Sequence, residues 1–218
     1  MILQGASVNT PRMAARPSPI YLLAGGLSWP LVRLLFRLRA TGLEHLPKAG
    51  GYVLAANHTS NFDPWALGIP LFPRRWLRFM AKSELYWRPL NVLLDAAGAF
   101  PVRRGERDLE AIRTAVELCR EGHVVVMFPE GTRRVKGLRK KWEAKAHTGA
   151  ARIALEAGVP LVPAAIRGTD RLARFAKLRV DYGPPLELGE LDGRDIREAA
   201  TEATERLMVE IERLERAP

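Results

Sequence analysis

Cysteine is nearly missing from this chain. A single thiol, Cys119, in 218 residues excludes an internal disulfide framework and the usual cysteine-rich zinc sites, and it fits a reducing cytosol. Its helical spacing from Leu109, Ile112 and Val116 favours a core position over a nucleophile. No Gly-x-Ser-x-Gly elbow occurs, which argues against a serine hydrolase, and no Gly-x4-Gly-Lys-(Ser/Thr) loop occurs, which argues against a P-loop nucleotide enzyme. Repeats and low-complexity blocks are absent as well. Long apolar runs are lacking: the stretch from Ile20 to Val32 is interrupted by Gly25, Gly26, Ser28 and Pro30 and falls short of the ~20 residues that cross a bilayer as a helix. Residues 1–19 carry Pro11, Pro17 and Pro19 without a compact apolar signal-peptide core.

What is present begins with charge. Thirty-four lysines and arginines against 24 acids leave a formal net charge of +10, which implies an acidic partner: nucleic acid, an anionic membrane surface or a phosphorylated substrate. The aromatic residues sit mostly within apolar stretches and do not alternate with arginines on one platform, which disfavours nucleic acid. At 47% hydrophobic residues the chain can bury a sizeable core in one domain of ordinary size.

The N-terminal part reads as helical and amphipathic. Leu31, Leu34, Leu35 and Leu38 share a helical face opposite Arg33 and Arg37, so residues 20–39 are expected to form one or two helices lying in a membrane interface; packing on a soluble core is the other reading. Two parts follow: an interfacial segment over 1–40 and an α/β domain over 41–218. In the latter, apolar runs at 51–56, 76–81, 99–102, 123–128, 161–166 and 178–182 read as strands. Helices fill 64–70, 89–96, 106–120 and 148–157, and 193–216 reads as a long amphipathic helix closing the core. The alternation predicts an α/β fold with a mainly parallel or mixed sheet covered by helices and functional loops at strand ends.

The strand over 51–56 runs into the polar turn Asn57-His58-Thr59-Ser60-Asn61-Phe62-Asp63-Pro64. If that turn curls, the Asp63 carboxylate can accept the His58 Nδ1–H and leave Nε2 as a base that activates a hydroxyl; an ordinary Asn-rich turn is the plain alternative. Further on, Gly98-Ala99-Phe100-Pro101-Val102-Arg103-Arg104-Gly105 delivers two arginines at a strand exit, where guanidinium forks suit a phosphate or are simply solvated. In Val124 to Arg134 a strongly apolar strand meets Glu130, Gly131 and a basic pair. Gly131 would let the backbone approach a ligand closely, and Glu130 either accepts from a substrate hydroxyl or pairs with the arginines.

These blocks resemble, in order and spacing, the glycerophospholipid acyltransferase family, in particular its lysophosphatidic acid acyltransferase-like members. The His-x4-Asp motif is matched by His58 and Asp63, and Gly-x-(Phe/Ile)-x-(Val/Ile)-x-Arg by Gly98 through Arg104. Phe-Pro-Glu-Gly-(Thr/Ser)-Arg is matched by Phe128 through Arg133, and Val-Pro-x-Val-Pro by Val159 through Pro163, so that the resemblance covers roughly residues 41–190.

The resemblance implies transfer of a fatty acyl group from acyl-CoA or acyl-carrier protein to the free hydroxyl of 1-acyl-sn-glycerol 3-phosphate. His58 would be the general base and Asp63 its orienting acid, with Arg104, Arg103, Glu130, Gly131, Thr132, Arg133 and Lys82 binding substrate. No metal and no cofactor beyond the acyl donor is expected, nor a nucleic-acid partner. It also implies monotopic or peripheral association with the cytoplasmic face of a membrane containing anionic lipids. One departure stands out: His147 occupies a position where many relatives have lysine. The basic loop from Arg134 to Lys145, with Trp142 embedded, could meet anionic head groups or an acyl carrier protein, or be solvated. Another lysolipid or a non-glycerol acceptor is the alternative within the family, and a basic non-catalytic membrane- or nucleic-acid-binding protein is the alternative outside it.

Overall fold

The computed structural model describes residues 17–102, 109–131 and 146–217. Among the described residues seven strands form one sheet: β1 (Arg39–Thr41), β2 (Tyr52–Ala56), β3 (Leu77–Lys82), β4 (Ala99–Val102), β5 (Val124–Met127), β6 (Leu161–Arg167) and β7 (Arg179–Tyr182). Their order is β1-β7-β6-β2-β5-β3-β4, and every neighbouring pair is parallel except β6 with β7. The expected mixed sheet is therefore present. β2 lies at its centre, with all five residues buried, as its unbroken apolar run requires of a strand covered on both faces.

The period of two in strand side chains divides the interior into two apolar layers. Val53 and Ala55 join Val125 and Leu161 in the layer covered by α4 (Leu109–Arg120), α5 (Gly149–Ala157) and α6 (Ile196–Arg216). Tyr52, Leu54 and Ala56 face the other way, with Val124, Val126 and Val162, onto Ala66 and Leu67 of α2 (Asp63–Gly68). α6 presents Ala203, Leu207, Ile211 and Leu214 to the interior at helical intervals and begins at Asp195, whose carboxylate accepts from the backbone N–H groups of Arg197 and Glu198. Cys119 is a core residue of α4, and burial pushes its thiol pKa up to about 12.

The N-terminal helix differs from expectation in extent. α1 (Pro19–Leu35) begins at the Ser18 cap, whose hydroxyl accepts from Tyr21 N–H, and stops four residues short of the expected 39. Arg37 takes a left-handed φ of 47°, and the chain then pairs with β7 as β1, with Arg39 N–H donating to the Leu178 carbonyl. Helical periodicity could not reveal this, because the strand is held by a partner about 140 residues away. One side of α1 packs down: Val32 is fully buried against Ile69 and Leu178, and the Tyr21 ring lies against Phe72 and Trp76. The other side carries Ile20, Leu23, Leu27, Leu31 and Leu34, all exposed, as one continuous apolar stripe. Among the described residues no helix is long and apolar enough to cross a membrane.

Candidate active site

Five parallel strands place their carboxyl ends on one edge of the sheet, the edge where α/β proteins build their sites. β2 leads there into the turn at Asn57–Pro64, β5 into Phe128–Gly131, β6 into Gly168 and Thr169, β3 ends in Lys82 and β4 in Val102. Segments as far apart in the sequence as Asp63 and Thr169, 106 positions, thereby converge.

Asn57 anchors the turn where the chain leaves the sheet. Its Nδ2 donates to the Ile166 carbonyl at 2.9 Å and its Oδ1 accepts from Ile166 N–H at 2.7 Å, a side-chain continuation of the β2–β6 ladder. Nδ2 also donates to Glu215 Oε1 near the end of α6. The next residue, His58, is held close to the sheet with only 7% of its surface exposed.

His58 Nδ1 lies 2.8 Å from Asp63 Oδ2, and Asp63 is fully buried at the start of α2. The same Oδ2 accepts the backbone N–H of Thr59 at 2.7 Å and of Ser60 at 2.8 Å, which closes the turn around the carboxylate. Asp63 Oδ1 accepts the hydroxyl of Thr169 at 2.5 Å. A carboxylate so placed only accepts, so the neutral imidazole carries its proton on Nδ1 and presents the Nε2 lone pair. Nε2 has no hydrogen-bond partner among the described residues. The Phe128 ring stacks on the imidazole with centroids 4.1 Å apart and planes 17° from parallel, fixing the ring's tilt as the dyad fixes its rotation.

The loop that follows β5 forms a tight turn. Gly131 N–H donates to the Phe128 carbonyl, and Gly131 has a φ of 67°. A Cβ at this position would lie 2.5 Å from His147 Cδ2, so glycine is required both by its conformation and by the histidine packed over it. Glu130 is buried beside it at 8% exposure. His147 N–H donates to the Pro129 carbonyl at 2.8 Å, which brings this residue to the edge of the site.

Lys82 is exposed and pairs in register with Val102, the residue before Arg103. Arg103, Arg104, Thr132 and Arg133 lie outside the described residues, as does the basic loop through Lys145. Thr169 was not foreseen. Its only sequence signal is a Gly-Thr pair after a strand, which means nothing until that strand is known to lie beside β2.

An apolar cavity of about 480 Å³ opens next to the turn, between α1, α2, β3 and α3 (Leu90–Ala97). Asn61, Pro64 and Trp65 line one side, Tyr21 and Gly25 of α1 another, and Phe79 and Leu93 the rest, with little polar surface among them. Gly25 lets α1 pack closely here, since a Cβ would lie 2.4 Å from the Phe72 ring, which would have to shift. The turn thus sets an oriented imidazole with an open Nε2 near an apolar recess, the elements that base catalysis on a hydrocarbon-bearing substrate would use.

The family model described as acyltransferase matches residues 37–167, which span both the dyad turn and the Phe128–Gly131 loop. The chain belongs to the acyltransferase family. The chain is 32% identical over 176 residues to a 1-acyl-sn-glycerol-3-phosphate acyltransferase of Bacillus subtilis, an alignment covering 79% of this chain and 85% of the relative. A chloroplastic protein of the same name from Brassica napus is 30% identical over 60% of this chain and 37% of its own length. Among solved structures, the 1-acyl-sn-glycerophosphate acyltransferase of Thermotoga maritima superposes with a TM-score of 0.63 at 24% identity, covering 91% of this acyltransferase and 80% of that chain, a likeness of fold.

Proposed function

We propose that this acyltransferase moves a fatty acyl group from an acyl thioester to the free hydroxyl of 1-acyl-sn-glycerol 3-phosphate, giving phosphatidic acid. The observation that carries the reading is the buried His58 Nδ1 to Asp63 Oδ2 bond at 2.8 Å, in a turn whose Asn61 and Pro64 line an apolar cavity. Two relatives named for that activity, at 32% and 30% identity, support the choice of acceptor.

The mechanism follows from the proton inventory. As the acceptor hydroxyl oxygen attacks the thioester carbonyl carbon, its proton passes to His58 Nε2. Asp63 then faces an imidazolium across the Nδ1 bond and stabilises the charge. The C=O becomes a tetrahedral oxyanion, and its collapse breaks the C–S bond and expels a thiolate. That thiolate recovers the proton from Nε2, leaving ester and free thiol. The nucleophile arrives with the substrate, so the route needs no acyl-enzyme, and general-base attack on a thioester calls for no metal. A base of this kind contributes roughly 10²–10⁴ in rate, with the remainder coming from holding two substrates together.

Arg103 and Arg104, which follow Val102 directly in the sequence, would hold the acceptor phosphate together with Lys82, and Thr132 and Arg133, which follow Gly131, would assist. The cavity would receive an acyl chain.

The exposed stripe of α1 would lie in the outer part of a bilayer's apolar zone, bringing the cavity to lipid-borne substrates. The +10 charge favours anionic lipid, and the cytoplasmic face is where a soluble thioester donor reaches the site.

The test is purified protein with lysophosphatidate and either acyl-CoA or acyl-carrier protein, with products identified by mass spectrometry. Phosphatidic acid should form, and His58→Ala should reduce turnover by at least 10². A folded His58→Ala protein with near-normal turnover would overturn the base assignment.

A further inference from the structure

Asp63 has two carboxylate oxygens in unequal surroundings. Oδ2 accepts from His58, Thr59 and Ser60, whereas Thr169 alone donates to Oδ1 among the described residues. The terminal torsion of an aspartate is soft. Donors on one oxygen leave the carboxylate free to swing about that point, while a donor on each fixes its plane. With Thr169 in place, the Oδ2 lone pair stays aimed at Nδ1.

The backbone builds this contact deliberately. Thr169 is 2% exposed and follows Gly168, whose φ is 93° and whose Cβ would lie 2.2 Å from the Lys177 carbonyl oxygen. Only glycine allows the sharp turn that carries Thr169 beneath the dyad. The neighbouring hydroxyl completes a directed chain. Thr169 has one hydroxyl proton, and a carboxylate can only accept, so that proton goes to Asp63. The 3.0 Å contact between Thr59 Oγ1 and Thr169 Oγ1 therefore runs with Thr59 donating. Thr59 thus holds Asp63 twice, through its backbone N–H on Oδ2 and through Thr169 on Oδ1.

We propose that Thr169 is a positioning residue for acyl transfer, extending the His58–Asp63 pair into the relay Thr59 to Thr169 to Asp63 to His58. It touches no reacting atom, and it acts by holding the carboxylate that fixes the His58 tautomer. The proposal rests on the general-base reading of His58.

The experiment compares Thr169→Val, Thr169→Ser and His58→Ala in steady-state kinetics, with ¹⁵N NMR of the His58 imidazole as a readout independent of turnover. Thr169→Val keeps the shape and removes the hydroxyl. It should lower kcat roughly 10- to 100-fold, the scale of one lost hydrogen bond to a charged group. KM for lysophosphatidate should stay unchanged, and the population protonated at Nδ1 should fall. Thr169→Ser restores the donor and should recover most of kcat.

Wild-type kcat and tautomer in folded Thr169→Val, or equal losses in the Val and Ser variants, would overturn the proposal while leaving the base assignment intact if His58→Ala is dead. An active His58→Ala would remove the base reading, and the relay with it as a catalytic device. Should Thr169→Val fail to fold, Thr59→Val carries the test. That variant removes only the outer donor and should cost roughly two- to tenfold in kcat, and an unchanged kcat and tautomer there would refute the relay.

Discussion

Replacing Asp63 by asparagine separates charge from geometry at this site, because the local donors dictate how an amide would sit. Three donors converge on the Oδ2 position: His58 Nδ1–H, Thr59 N–H and Ser60 N–H. An amide NH₂ there would face three donors, so the asparagine carbonyl must occupy it and the NH₂ must turn to Thr169. Thr169 Oγ1 can accept that N–H and swing its own proton to Thr59 Oγ1, 3.0 Å away. The three donors keep an acceptor and one amide N–H finds Thr169, so the turn should hold. His58 should keep its proton on Nδ1, unlike a catalytic triad in which the same change reverses the tautomer.

What disappears is the negative charge beside the imidazolium. Opposite charges about 4 Å apart at an effective dielectric of about 20 are worth about 4 kcal/mol, which corresponds to roughly 10³ in rate. The expected result for Asp63→Asn is therefore a kcat lower by about 10³ with KM for lysophosphatidate unchanged, measured by initial rates of phosphatidic acid formation alongside thermal melts. A folded Asp63→Asn protein retaining more than a tenth of wild-type kcat would refute the electrostatic role of Asp63, whatever the fate of His58→Ala.

Two further outcomes test the scaffold. Burial by itself would raise the pKa of the Asp181 carboxyl, but hydrogen bonds from Thr41, Arg179 and Arg167 outweigh it and hold the pKa below the ordinary carboxylate value. A depressed folded-state pKa gives stability that is present above the unfolded value near 3.9 and is lost as pH falls through the folded one. Asp181→Asn should therefore cost about 1–3 kcal/mol at pH 7, and its melting-temperature gap from wild type should narrow at pH 3; an equal gap at both pH values would refute the linkage. On the membrane side, serine at Leu23, Leu27 and Leu34 together removes three exposed leucines from the α1 stripe. With about 1 kcal/mol for each partly inserted side chain, vesicle partitioning should fall roughly 10²-fold. Unchanged sedimentation with anionic vesicles would place the anchor elsewhere.

Much of the fold was legible because buried parallel strands have a strong local signature. The runs at Val124–Met127 and Tyr52–Ala56 are apolar without alternation, and turn residues bound them. β1 was not legible, since Arg39-Ala40-Thr41 has no strand character of its own and is a strand only because β7 lies alongside. His58 and Asp63 could be named from spacing within one turn. Thr169 could not, because it reaches Asp63 from a residue 106 positions away.

The amino-acid order alone thus determined everything that depends on near neighbours: which segments are apolar strands, which turn holds the histidine and its acid, and which glycine permits a close loop. Strand order decided the rest. Placing β6 and β5 on either side of β2 brings Thr169 beneath the carboxylate, Phe128 onto the imidazole and Asn57 onto the backbone of Ile166. Those contacts are made across the sheet between distant segments, and periodicity along a chain carries no information about which strand will lie beside which.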